Sequence, residues 1–246
     1  MGRVTTHFET ADSAEVRHLV VGHSQIRDLW NIDVSKIQGL NFPVDWISVS
    51  GGKVEELIAI IKKEIKKAVK PVKVSAMIWQ NSITTLNIEK VKEIVSDLEQ
   101  FMGDYSEHKV ALPECLFIPS LEEHFPFITE LNHLLRQYQV RNEMNAFPLS
   151  KVLMRNTKNG LKVRQDQWKE YQEGTGLGYH IADSGRTNYV KFILKFHAYG
   201  FDREGESPSS HVAPSKYKPP INHPKTPDAR KKIDFAQQNP VAGKSS

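Results

Sequence analysis

Apolar runs alternate with amphipathic stretches from about residue 17 to residue 200. In "EVRHLVVGHS" a short run, Arg17 to Val21, stops at Gly22. It predicts a buried strand ending in a turn, with a helix starting over 25–30. "VDWISVSGG" (44–52) predicts a second strand that runs into a double glycine. In "KVEELIAIIKKEIKKAV" (53–69) Val54, Leu57, Ile58, Ile61, Ile65 and Ala68 fall on one stripe and lysines cover the other face. That spacing is an amphipathic helix, and Pro71 ends it. "VKVSAMIWQNS" (72–82) predicts a third strand leading to a polar turn. A second long helix follows over 87–103 and is closed by Gly103. A fourth strand lies within 108–120, its start disturbed by Pro113. Helices are predicted over 127–145 and 186–200. Between them, 146–185 has no single period. Its loop "EGTGLGYH" is too irregular for a phosphate-binding fingerprint.

Strands that alternate with long amphipathic helices give an α/β protein, a parallel sheet with helices on both faces. In such sheets, ligands bind beyond the carboxyl ends of the strands. The turns Gly22–Ser24, Ser50–Gly52, Gln80–Ser82 and Ile118–Ser120 each follow a strand, so all four are expected along one edge.

Composition narrows the picture. The chain has 246 residues, 39% hydrophobic and 25% charged, which fits one large domain plus a tail. Residues 1–15 read as a polar extension and 16–202 as the domain. Residues 203–246 hold seven of the 13 prolines and few large apolar side chains. That tail is expected to be disordered and weakly basic, because it buries too little to offset its ordering entropy. The net charge of +4 permits an anionic partner without identifying one. The single cysteine, Cys115, excludes an internal disulfide and reads as a buried core residue in a reducing compartment. No apolar run is long enough to span a bilayer, and the N-terminus lacks the apolar core of a signal peptide. An intracellular protein, cytoplasmic or nuclear and away from membranes, is therefore expected. No cofactor is expected, and no metal either, since His108, His124 and His133 lack ligand spacing and read as surface or ordinary helix residues.

The order of the turns resembles the SGNH (GDSL-like) hydrolase superfamily over roughly 17–200. Gly22-His23-Ser24 stands where that family has Gly-Asp-Ser, with Arg27 where many members carry a basic residue. Gly51 or Gly52 matches its glycine block, and Asn81 its asparagine block. The resemblance implies a three-layer flavodoxin-like fold with Ser24 at the nucleophile position. It also implies an oxyanion hole formed by Ser24, Gly51 or Gly52, and Asn81. The family's last block, Asp-x-x-His, is matched best by Asp183-Ser184-Gly185-Arg186. Arginine then stands where the base should be, and its pKa is too high to accept a serine proton. His180 is the first candidate for a substitute base; His23 is expected to point to the other face, and His197 to lie too far away. Taken alone, Ser24 also fits an ordinary helix N-cap, and Gly and Asn are common turn residues. Trp30, Trp46 and Trp79 read as core, Trp79 with the option of lining the cleft.

These residues support a catalytically lapsed SGNH-like domain that binds an anion, with RNA or DNA foremost and Arg27 and Arg186 as its anion contacts. The alternative is an active serine esterase or lipase-like hydrolase using Ser24, Asp183 and His180. A third reading has the tail contact another protein.

Overall fold

The computed structural model describes residues 3–10, 14–27, 29–32, 43–158, 160–173 and 176–202. The tail therefore lies outside the described residues, and so does most of the connection between the first two parallel strands.

Five strands form the central sheet: β1 (Val4–His7), β2 (Arg17–His23), β3 (Asp45–Val49), β4 (Val72–Met77) and β5 (Lys109–Ala111), in the order β1-β3-β2-β4-β5. The last four are parallel and β1 joins β3 antiparallel. With α1 (Val54–Lys67), α2 (Ile88–Gly103), α3 (Phe125–Arg141) and α4 (Asp183–Tyr199), this is the expected flavodoxin-like three-layer fold. β3 is buried at every position and β2 from Leu19 to His23, as strands covered on both faces require.

The helices follow from the pattern. α1 buries Val54, Leu57, Ile58, Ile61 and Ile65, carries Glu55 and Glu56 in its first turn and ends on Lys66 and Lys67, so its charges match the helix dipole. The Asn87 side chain caps α2 by accepting from the Lys90 amide at 2.8 Å.

Four features depart from the sequence expectations. The polar segment 1–15 contributes β1. Its side chains alternate between exposed and half-buried, which an antiparallel edge strand allows. Among the described residues of 25–30, two 3₁₀ turns, Ser24–Ile26 and Leu29–Asn31, stand in place of the expected helix. The fourth parallel strand stops at Ala111, because Pro113 has no amide to continue the ladder. Buried side-chain amides hold the irregular segment that follows. Gln139 Nε2 donates to Leu112 O at 2.9 Å, and Asn132 takes the Cys115 amide at 2.6 Å and donates to its carbonyl at 3.0 Å. Gln80 brackets Leu116 in the same way, at 2.9 and 3.2 Å. Finally, 146–185 resolves into two hairpins, β6 (Met154–Thr157) with β7 (Gly160–Val163) and β8 (Trp168–Glu173) with β9 (Gly176–Ile181). The short strands and glycines of this stretch hid their period.

Three histidines sit inside this fold uncharged. Burial pushes His18 down to about 4 and His23 down to about 3, and it holds His197 well below the ordinary range. His18 and His197 face each other Nδ1 to Nδ1 at 3.1 Å, and Lys73 opposes a positive charge on either ring. His108, expected at the surface or on a helix, is buried and accepts the Val72 amide at 3.0 Å, while Cys115 is buried as expected.

These folded values lie below the unfolded value of 6.5, so the unfolded chain takes up protons first. The stabilisation is complete above that pH and is lost as pH falls toward the folded values. Urea unfolding across pH 7.5 to 5 is expected to lose up to about 1.4 kcal/mol per pH unit for each of the three residues. His18→Asn is expected to make the slope shallower. A flat profile would contradict the neutral imidazoles of buried His23 and His197 and of half-buried His18.

Candidate functional site

The carboxyl edge of the sheet brings the turns together as expected. β2 is the first parallel strand. The chain passes outward to β3, then returns through α1 to β4 on the other side of β2. Ser24 follows the last residue of β2 and so lies where the strand order reverses, the usual position of a ligand crevice.

Gly22 is required there by packing. A Cβ at this position would stand 2.8 Å from the Met77 carbonyl and 2.9 Å from Met77 Cβ. His23 turns its ring into the interior, where it lines a small space with Trp79, Gln80, Glu114, Cys115 and Tyr189. Trp46 and Trp79 are core, as expected; Trp30 stacks on His7 with ring centroids 5.4 Å apart. Ser24 is not a helix cap. His23 Nδ1 takes that place, accepting the Gln25 amide at 3.4 Å.

The Ser24 hydroxyl lies instead 3.3 Å from His180 Nε2. His180 is in β9, whose register opposes it to Lys169 of β8. The residue after Ser24 joins the same contact: the Gln25 side chain donates to Tyr179 O at 2.5 Å and accepts the Ile181 amide at 3.0 Å. No periodicity in the sequence marks this arrangement. The cue was position: His180 lies three residues before Asp183, close enough to reach the edge if the preceding glycine-rich loop folds back.

Asp183 and Arg186 both lie in the first turn of the last helix. α4 starts at Asp183, not at 186, so the two residues are one turn apart on the same helix. The Asp183 side chain is fully exposed, with Oδ1 3.5 Å from Arg186 Nη1. The Arg186 guanidinium reaches the site edge and donates to Arg27 O at 3.1 Å. Arg27 in turn donates to Ser50 Oγ at 3.3 Å. Lys53 adds a third cation, donating to Asn81 O at 2.6 Å. His197, expected to lie too far away, is buried against His18.

The oxyanion-type donors are partly committed. Gly51 has φ +69°, a left-handed conformation that glycine adopts without strain. The Gly52 amide closes that turn by donating to Val49 O at 3.1 Å. Asn81 Nδ2 donates to Gly52 O at 3.1 Å, which uses one of its two protons. Burial, and after it the nearby His180, push the His23 imidazole down to about 3, so its ring is neutral at neutral pH.

Behind the site, Glu114 is buried with its pKa raised by desolvation. It accepts from Arg136 Nη1 at 2.7 Å and from the Ser150 hydroxyl. Among the described residues no group of three or more His, Cys, Asp or Glu is arranged to hold a metal ion, and no helix is long and apolar enough to cross a membrane.

Known structures share this fold. The OSK domain of Drosophila Oskar aligns over 73% of this chain and 88% of its own, with a TM-score of 0.51 and 12% identity. A Bacteroides fragilis protein described as an acylhydrolase aligns over 76% and 88%, with a TM-score of 0.52 and 13% identity. At such identities the fold is what is shared. No family model and no curated protein matches the chain.

Gly22→Ala is expected to destabilise the protein by about 1–3 kcal/mol, since backbone and Cβ atoms, not a flexible side-chain tip, face the added methyl. Thermal and urea unfolding check this. A neutral substitution would mean that β2 and β4 are not packed this closely at the site.

Proposed function

We propose that this edge is a serine hydrolase site for ester bonds, with Ser24 as nucleophile and His180 as base. The observation that carries the reading is the 3.3 Å contact between Ser24 Oγ and His180 Nε2 at the strand-order reversal. A serine becomes nucleophilic when a base within hydrogen-bond reach accepts its proton.

In this reading the His180 proton resides on Nδ1, leaving Nε2 to accept. Ser24 Oγ attacks the ester carbonyl carbon as Nε2 takes its proton. The bond to the leaving alcohol then breaks, and His180 returns the proton to that oxygen. Water next attacks the acyl-Ser24 carbonyl and gives a proton to His180. Collapse releases the carboxylic acid and reprotonates Ser24. The second proton of Asn81 Nδ2 is available to the developing oxyanion. Asp183 has no part, since its carboxylate faces solvent and Arg186.

A second reading, binding of an anionic ligand such as RNA or DNA without turnover, is supported by another observation. Arg27, Arg186 and Lys53 surround the turns, while the Gly52 donor is already used within its own turn. Guanidinium groups suit phosphate or carboxylate oxygens.

Fluorophosphonate labelling separates the two. Slow, stoichiometric labelling of the wild-type chain is expected, and it is expected to be lost in Ser24→Ala and His180→Ala. Absence of labelling in folded wild type would overturn the hydrolase reading. Binding of single-stranded RNA that weakens with salt and falls in Arg27→Ala and Arg186→Ala would then support the second.

A further inference from the structure

We propose that Gln25 is a positioning residue of this site, fixing the strand that presents the base His180 to Ser24. The proposal rests on the Ser24–His180 reading above.

A hydrolytic serine needs a base and the base needs a group that holds it in place. Part of what holds His180 acts on its backbone. In a strand, the carbonyl before a residue and the amide after it point the same way. A parallel neighbour bonds that pair with the carbonyl and amide of a single residue. The Gln25 side-chain amide reproduces this pattern, with Nε2 on Tyr179 O and Oε1 on the Ile181 amide. It serves as a one-residue parallel partner for β9, centred on His180. On its other edge β9 pairs with β8, where Lys169 opposes His180. The backbone of His180 is therefore held from both sides.

The amide itself is well fixed. Gln25 is buried, and its own backbone amide is tied to His23 Nδ1. Ser24 and Gln25 share one 3₁₀ turn, so the segment that presents the hydroxyl also grips the strand that presents the imidazole. Nucleophile and base, 156 residues apart in the chain, are thus linked through the Gln25 side chain. The chemistry of that side chain is specific. A carboxylate would keep the bond to the Ile181 amide and repel the Tyr179 carbonyl, and an apolar side chain of the same length would lose both bonds.

The test uses the full-length chain with Gln25→Met, which keeps length and bulk, and Gln25→Glu. The imidazole nitrogens of His180 are observed by NMR, and the shift that Ser24→Ala causes at Nε2 is read in each background. A clear shift is expected in wild type and its loss in Gln25→Met. In parallel, the fluorophosphonate labelling rate is followed against pH. Gln25→Met is expected to slow labelling about a hundredfold, the scale set by a displacement of about 1 Å. A merely structural role would slow labelling and leave the Nε2 response to Ser24→Ala as it is in wild type.

The two proposals fail separately. If wild type is not labelled but the NMR coupling is present and lost in Gln25→Met, Gln25 positions His180 and the hydrolase reading falls. If the Nε2 response to Ser24→Ala is the same in Gln25→Met as in wild type, or absent in wild type, the positioning role is overturned. Should Gln25→Met not fold, Gln25→Glu supplies the same comparison.

Discussion

The structure depends on β2 being the strand around which the sheet reverses. It is covered on both faces and paired on both edges, with Gly22 opposite Ser48 on one side and Met77 on the other. Nothing larger than glycine fits between those neighbours without moving the β4 backbone. This close approach fixes where the strand ends, and so fixes where Ser24 leaves the sheet. The alternation of the chain then sends His23 inward and leaves the next residue at the edge.

The rest of the edge is organised by polar groups that substitute for regular structure. Gln25 completes β9, and Gln80, Asn132 and Gln139 complete the segment after β5. Each is an uncharged amide able to donate and accept at once, so each satisfies two peptide groups without importing a charge into a dry interior. Glu114 is a buried carboxylate, and it is covered by Arg136 and Ser150. Desolvation raises its pKa, so it favours the folded state more at low pH, opposite in sign to the buried histidines.

The cations of the site are arranged in a relay more than a cluster. Arg186 reaches the Arg27 carbonyl, Arg27 reaches Ser50, and Lys53 reaches the Asn81 carbonyl. They tie α4 and the turns after β2, β3 and β4 to one another. The positive character at this edge is consequently also part of what holds the edge together, and a bound anion would compete with these contacts.

By itself the sequence determined the α/β class, the parallel strands at 17–23, 45–49 and 72–77, and helices α1 and α2. It also determined that the turns holding Ser24, Gly51 and Asn81 share an edge. Those features rest on short-range periodicity and on the rule that parallel strands present their carboxyl ends together. It did not reveal the strand at 4–7, the two hairpins of 146–185 or the start of α4, because polar edge strands and glycine-rich hairpins carry little periodic signal. Only the tertiary structure decided that Asp183 pairs with Arg186 and that His180 meets Ser24. The physical reason is distance along the chain: a contact across 156 residues is set by sheet order and by one buried amide, and neither leaves a repeat in the sequence.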